Sequence, residues 1–159
     1  MRRNSDGFSL IELLIVVAII LIIAAIAIPN LLRSKIAANQ ASAAQSLRTI
    51  TSCEVTYSTT YNQGYTSTLT QLGPPTSGRP TSSTAGLVDS VLASGTKSGY
   101  SFTYTASAAF NGSTPAYTVT ASPLTPGTTG QNYYYADSTA VIRQNTSQTA
   151  SASDSPIGG

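Results

Sequence analysis

The first third of the chain is strongly apolar. Every residue from Leu13 to Ile28 is apolar, and extending the run back to Phe8 adds only Ser9 and Glu12 as polar interruptions. A helix of roughly 20 mostly apolar residues is long enough to span a bilayer. The pattern therefore predicts a membrane-spanning helix over residues 8–35.

From residue 36 the pattern becomes that of an amphipathic helix. Apolar residues recur at spacings of three, four and seven, which places them on one stripe of the helix. This stripe contains Ile36, Ala43, Leu47, Ile50, Cys53, Tyr57 and Tyr61, and the opposite face contains Asn39, Gln45, Arg48, Ser52 and Thr56. Because neither Gly nor Pro occurs between Leu31 and Tyr61, we predict that the amphipathic part, residues 36–62, continues the apolar helix. Gly64 can adopt the left-handed conformation that ends it.

The remainder, residues 63–159, predicts loop followed by a small sheet. Residues 65–98 contain several Gly and Pro turn signals and are expected to form loop. Alternating apolar and polar residues then predict three or four antiparallel strands. The expected strands are Tyr100–Tyr104, Tyr117–Ala121, Tyr133–Ala136 and Thr139–Arg143, with turns at Asn111-Gly112, Pro126-Gly127 and Asp137-Ser138. The tail, residues 144–159, is rich in Ser, Thr, Gly and Pro and is expected to be loose.

Together these elements predict an α+β fold. The sheet has one apolar face that needs a cover, and the apolar stripe of the helix fits it. The long N-terminal helix would then have two roles, with its first half in a membrane and its second half packed on the small antiparallel sheet.

The amino-acid composition argues against catalysis, metal binding and nucleic-acid binding. Only 9% of the 159 residues are charged, against about 25% in an average soluble domain. The chain has no His and one Cys, so the commonest general base and the usual zinc ligands are missing. A net charge of +2 is too small to indicate a nucleic-acid site. We therefore assign no catalytic residues, no metal site and no cofactor, and we expect no enzyme.

The most specific motif is Gly7-Phe8-Ser9-Leu10-Ile11-Glu12-Leu13-Leu14, which follows a short charged leader, residues 1–7. A Gly precedes an aromatic residue, a Glu stands at the fifth position after the Gly, and Pro29 lies further along the apolar helix. This N-terminus resembles the type IV pilin and pseudopilin family. The resemblance is strong over residues 1–50 and rests on architecture alone beyond them.

The resemblance implies a processed filament subunit. A separate membrane-embedded prepilin peptidase would cut between Gly7 and Phe8 and methylate the new amine of Phe8. Glu12 would guide assembly, and the apolar helices would form the core of a homo-oligomeric filament with the help of inner-membrane assembly machinery. The precursor would lie in the inner membrane with its C-terminus outside the cytoplasm. The product would be an extracellular pilus, or a periplasmic pseudopilus of a type II secretion system.

The same residues have a physical interpretation without the family. Gly7 offers no side chain to a peptidase that must approach the backbone closely. Glu12 is a carboxylate in an apolar span, where an ionisable side chain costs at least ~2.5 kcal/mol unless it is partnered. Cleavage before Phe8 would create an amine at similar depth, and the amine of a neighbouring chain could meet Glu12 at a defined axial offset. Such a pair would reject a wrong register.

Three residues keep two interpretations each. Glu12 either pairs with an amine or lies near the headgroups and reaches water. Pro29 either kinks the helix, because it lacks a backbone donor, or marks the membrane exit. Cys53 is either a free thiol on the apolar stripe or part of an intermolecular disulfide.

Two further alternatives concern the whole N-terminus. A secretory signal peptide would use Ala25-Ile26-Ala27 as its cleavage site and release a soluble protein that begins at Ile28. A non-polymerising single-pass surface protein would keep the helix as an anchor. Arg2 and Arg3 place the N-terminus in the cytoplasm by the positive-inside rule, and Arg33 and Lys35 on the far side weaken that argument.

Overall fold

The computed structural model describes residues 8–157. Its main element is helix α1, Leu10–Tyr61, with 52 residues. A 3₁₀ helix (Leu69–Leu72), a short helix α2 (Ser90–Ala93) and five strands follow. The strands are β1 (Thr96–Lys97), β2 (Tyr100–Ala106), β3 (Tyr117–Pro123), β4 (Tyr133–Asp137) and β5 (Arg143–Asn145). The predicted α+β class, with a long N-terminal helix and a small antiparallel sheet, is confirmed.

The chain divides into two compact units, one ending at Lys35 and the other beginning at Ile36. In the first unit the large apolar side chains of α1 are exposed; Leu21, near the middle of the apolar run, is 63% exposed. In the described part of the chain, α1 is the one helix long and apolar enough to cross a membrane by length and composition. Among the described residues, nothing covers the apolar surface of this unit.

The second unit is built on the sheet, whose strands lie in the order β1-β2-β3-β4-β5 with every neighbour antiparallel. Side chains of β3 alternate strictly between buried and half-buried. The register places Phe102, Ala121 and Tyr134 beside one another on the inner face. The alternation of apolar and polar residues therefore predicted the buried face of the sheet correctly.

The apolar stripe of α1 contributes to the same core. Leu47 and Ile50 are fully buried, and Tyr57 is 2% exposed. One assignment to the polar face is wrong: Asn39 is half-buried, and its Nδ2 donates to the Thr129 carbonyl over 2.8 Å. A polar side chain is tolerated there because a backbone acceptor of the loop between β3 and β4 satisfies it.

The end of α1 follows the sequence closely. Tyr61 is its last residue, and both Asn62 and Gly64 have left-handed φ angles, of 53° and 73°. Gly64 lies directly against Thr114, so a Cβ at this position would overlap the Thr114 carbonyl. The amide of Tyr65 donates to that carbonyl over 2.9 Å, so the chain leaves the helix along the connection between β2 and β3.

The predicted fourth strand, Thr139–Arg143, is wrong. Asp137 Oδ1 accepts hydrogen bonds from both the amide and the hydroxyl of Thr139, and this Asx turn ends strand conformation. Ala140 then has a left-handed φ of 60°, and the chain resumes pairing only in β5, Arg143–Asn145.

The predicted loop over residues 65–98 also contains more structure than expected. It includes the 3₁₀ helix, α2 and β1, so the sheet has five strands and not three or four. Asp89 caps α2, because its Oδ1 accepts a hydrogen bond from the Leu92 amide over 2.9 Å. Leu69, Leu72 and Leu92 are all buried in the core. Short elements of this kind lack the repeated pattern on which sequence prediction depends.

The C-terminal tail, which the sequence predicts to be loose, makes specific contacts as far as Ile157. The carboxylate of Asp154 accepts from Asn145 Nδ2 over 2.8 Å and from the Ser151 amide over 2.7 Å. Arg143 Nη1 donates to the Asp154 carbonyl over 2.8 Å, and the Ile157 amide donates to the Ile142 carbonyl. The tail thus covers the edge of β5, which blunts an otherwise open strand. We call these contacts the C-terminal clasp.

We predict that Asp154→Ala opens this clasp. In the full chain held in detergent micelles, trypsin should cut after Arg143 several-fold faster, because local opening exposes the backbone to proteolysis. The cut after Lys97, in the turn between β1 and β2, serves as internal reference.

Ser153→Ala is the matched control, because in residues 8–157 the Ser153 hydroxyl hydrogen-bonds to the Ser151 hydroxyl and not to Asp154. Equal cutting rates after Arg143 in all three proteins would contradict the clasp. The hydrogen bond from the Ser151 amide holds the pKa of Asp154 below its ordinary 3.8. The contribution of Asp154 to the clasp is therefore complete above about pH 3.8. It is lost as the pH falls through the lowered pKa of Asp154.

Candidate functional site: the start of the long helix

Glu12 lies in the first turn of α1, at the position where its carboxylate can fold back on the helix start. Its Oε2 accepts a hydrogen bond from the Ser9 amide over 2.9 Å. Ser9 precedes the first helical residue, and its own carbonyl accepts from the Leu13 amide over 3.3 Å. This is one half of a capping box, in which a Glu three residues after the N-cap satisfies the N-cap amide.

The capping bond changes the interpretation of Glu12. A carboxylate at a helix N-terminus is also favoured by the helix dipole. Glu12 therefore has a backbone partner within its own chain, in addition to any partner that another chain supplies. The spacing Ser-x-x-Glu before an apolar run is a sequence signature of a capping box, so this role was readable at Ser9 and Glu12 and was missed.

The two residues of the predicted processing point fall on either side of the described boundary. Phe8 is described and is 80% exposed. Gly7 and the predicted leader, residues 1–7, lie outside the described residues. The structure therefore gives the exposure of the residue that would become the new N-terminus, and no geometry for the bond before it.

Pro29 lies inside α1, which is continuous from Leu10 to Tyr61. Proline has no amide hydrogen, so the carbonyl of Ala25, four residues earlier, loses its usual donor. Next to it, Asn30 Nδ2 donates to the Ile26 carbonyl over 3.0 Å. The helix is thus not interrupted at Pro29, and a kink there stays a prediction.

In the second unit, Cys53 is half-buried and its thiol donates to the Leu87 carbonyl over 3.1 Å. Burial and then the neighbouring Glu54 raise its pKa above 9.0. The protonated thiol is therefore favoured, and the thiolate needed for disulfide exchange is disfavoured. Within residues 8–157, no three His, Cys, Asp or Glu side chains gather as metal ligands would.

Glu54 is a residue that sequence reasoning missed altogether. Its side chain is fully buried, and its two oxygens accept from the amide and the hydroxyl of Thr66 over 3.0 and 2.5 Å. Its position four residues after Ile50 and seven after Leu47 places it on the apolar stripe. That spacing was the available signal, because a carboxylate on a buried helix face is unusual.

Comparison with known proteins finds similarity over short stretches of the chain. The family described as "Prokaryotic N-terminal methylation motif" matches residues 2–28. The type IV wide pilus major component PilA4 of Thermus thermophilus is 65% identical over 37 residues. This alignment covers 23% of the present chain and 28% of that protein. No solved structure matches the chain.

Proposed function

Since the N-terminal segment of the chain is that of the type IV pilin and prepilin family, we propose that the protein is a structural subunit of a type IV pilus. The observation that carries the proposal is the apolar part of α1, none of which is buried within the chain. Such a surface is satisfied by lipid or by the same helix of other subunits. The role is structural, and the proposal includes no catalysis by this chain.

Processing is the first step of the proposal. A prepilin peptidase cuts between Gly7 and Phe8, and the new amine of Phe8 is methylated. Removal of residues 1–7, which contain Arg2 and Arg3, takes away the positive charge that holds the N-terminus in the cytoplasm. The exposed Phe8 then begins an apolar helix that has no basic residue before Arg33.

Assembly is the second step, and Glu12 sets the axial offset between neighbouring subunits. In the single chain Glu12 is satisfied by the Ser9 amide. In the filament, the carboxylate meets the amine of Phe8 in a neighbouring subunit, where low dielectric strengthens the attraction. A subunit at the wrong axial offset leaves a charged group without its partner, which is costly in an apolar environment. Helix packing alone, between Leu, Ile, Val and Ala side chains, would leave the register loose.

The transfer from membrane to filament needs little free energy from the apolar surface itself. Lipid tails are as apolar as Leu, so helix packing and polar pairs decide where the helix resides. Pro29 is proposed to loosen the helix locally, because it lacks a backbone donor. The sheet-containing unit, from Ile36 onward, then coats the core of apolar helices.

The N-terminus of the protein taken from native membranes or sheared surface material tests the processing. Intact mass and terminal peptide sequencing are expected to find a methylated Phe8. A start at Ile28 would mean a secreted soluble protein and would overturn the proposal. An uncut Met1 would mean a plain membrane anchor.

Substitution of Glu12 tests the assembly step. Glu12→Ala is expected to lower the amount of subunit in surface fibres by about tenfold or more, because truncating one partner of a desolvated charge pair costs about 2 kcal/mol or more. Unchanged incorporation of Glu12→Ala into fibres would overturn the assembly role of Glu12. Absence of both the wild type and the variant from sheared fibres would indicate a non-polymerising anchored protein. The measurement is the amount of subunit in sheared fibres relative to the membrane fraction.

Glu12→Gln separates the charge from the cap. The amide oxygen of Gln still accepts from the Ser9 amide, but the side chain carries no charge to pair with an amine. We expect it to assemble as poorly as Glu12→Ala. Recovery of assembly with Gln would show that the cap suffices. Ser9→Ala is the matched control, since it keeps the backbone donor.

Deletion of the gene separates a pilus from a type II secretion pseudopilus. The Thermus relative is a pilus component, which supports the pilus. We therefore expect loss of surface fibres with protein secretion unchanged. Loss of exoprotein secretion with intact fibres would assign the protein to the pseudopilus.

A further inference from the structure

Glu54 is the buried ionisable group that the proposed function does not use. Its side chain is among the largest that are fully buried in the second unit. Its oxygens join α1 to Thr66, which is also fully buried and lies just beyond the end of the helix. Thr66 in turn contacts Tyr104 of β2. Helix, connecting segment and sheet therefore meet at this one carboxyl group.

Among residues 8–157, no cation pairs with Glu54: the one ion pair there joins Lys97 and Asp89. The titratable groups that face Glu54 are Cys53 and Tyr57 on α1, Tyr104 on β2 and Tyr117 on β3. Burial raises the pKa of each of these four, so the thiol and the phenols stay neutral. The ionised form of Glu54 is thus stabilised by hydrogen bonds alone.

The hydrogen-bond geometry accommodates a neutral acid without loss. Thr66 Oγ1 lies 2.5 Å from Glu54 Oε1 and 3.1 Å from the Tyr104 hydroxyl oxygen, and that hydroxyl donates to the Thr66 carbonyl over 3.0 Å. The Thr66 hydroxyl has one proton and cannot serve both neighbours. If it donates to Tyr104, the short contact with Glu54 is satisfied by a proton on the carboxyl. If the Thr66 hydroxyl donates to Glu54, both carboxyl oxygens accept hydrogen bonds, an arrangement that favours the ionised form.

We propose that Glu54 is a proton-operated latch: as a neutral acid it fastens the Gly64–Thr66 segment to α1, and its ionisation loosens that segment. An ionised carboxylate in this site is a buried charge without a counter-ion, and such a charge is relieved by opening to water. The segment that opens carries the pairing of Gly64 and Tyr65 with Thr114. Loosening it detaches the end of the helix from the connection between β2 and β3.

The direction of the pH dependence follows from linkage. Burial is the main cause that raises the pKa of Glu54 above its ordinary 4.5, and the hydrogen bonds from the Thr66 hydroxyl and amide act against it. A raised pKa means that the folded state binds the proton more tightly than the unfolded state. The stabilisation that Glu54 contributes to the folded state is therefore complete below about pH 4.5. It is lost as the pH rises through the pKa of Glu54 in the folded state. Asp154, whose pKa is lowered, acts in the opposite direction.

The first test is a direct titration of the carboxyl. The glutamates of the chain are Glu12 and Glu54, so labelling glutamate with ¹³C at the side-chain carboxyl gives two signals in the full chain in detergent micelles. The signal lost in Glu54→Gln is that of Glu54. We expect its midpoint above 4.5, and a midpoint at or below 4.5 would overturn the proposal.

The second test measures stability against pH. Gln is isosteric with the neutral acid: its oxygen accepts from the Thr66 amide and its Nε2 donates to the Thr66 hydroxyl. The melting temperature of Glu54→Gln minus that of the wild type, measured from about pH 4 to pH 9, should grow as the pH rises. Each pH unit between the folded and unfolded midpoints corresponds to a tenfold change in the folding equilibrium. A difference that stays constant with pH means a merely structural role.

Thr66 supplies the matched pair of variants. Thr66→Val removes the hydroxyl that stabilises the ionised form, so it should move the Glu54 midpoint further upward. Thr66→Ser keeps the hydroxyl and should leave the midpoint near that of the wild type. If Glu54→Gln does not fold, these two variants identify the Glu54 signal, and the wild-type titration decides. None of these measurements depends on whether the protein forms a pilus.

Discussion

The apolar face of the sheet has to be covered, and α1 is the element that covers it. Leu47 and Ile50 are completely excluded from solvent against this face. The same stretch of helix also organises the segments that follow it. The Tyr57 hydroxyl donates to the Ser82 carbonyl over 2.7 Å, and the Cys53 thiol donates to the Leu87 carbonyl. These hydrogen bonds hold the irregular segment that contains Ser82 and Leu87 against successive turns of α1.

One helix thus serves two environments. Over the described residues up to Lys35, its large apolar side chains are exposed on all sides, and in the proposed function lipid or other subunits cover them. From Ile36 it is amphipathic and buries one stripe within its own unit. The boundary at Lys35 and Ile36 lies where the contacts of the chain separate. The arrangement suits a subunit whose apolar helix changes partners while its sheet unit stays folded.

Stability of the second unit does not rely on a disulfide, since the chain has one cysteine. Instead, the carboxylate of Asp154 accepts hydrogen bonds from Asn145 Nδ2 and from the Ser151 amide. Such bonds are individually weak and exchange with water. The tail is consequently ordered by a contact that acid can release, which a disulfide would not permit.

Glu12 and Glu54 show which contacts can be predicted from sequence and which cannot. The long helix, its end at Tyr61 and the alternation in the strands were all predictable, because each depends on periodicity or on the conformational preference of one residue. The Ser9–Glu12 cap was equally local and could have been read from its spacing. Glu54 lies on the same stripe as Ile50, but its partners Thr66 and Tyr104 come from distant parts of the chain. Nothing along the sequence specifies that meeting.

By itself, the sequence determined the elements whose cause is local: an apolar run long enough for a bilayer, a helical stripe, and strands of period two. Tertiary structure alone decided the fate of the irregular segments. The loop over residues 65–98 became part of the core, the strand expected at Thr139 became an Asx turn, and the tail was fastened by Asp154. Those outcomes depend on hydrogen-bond partners and apolar surfaces that are distant in sequence, and only folding brings them within reach.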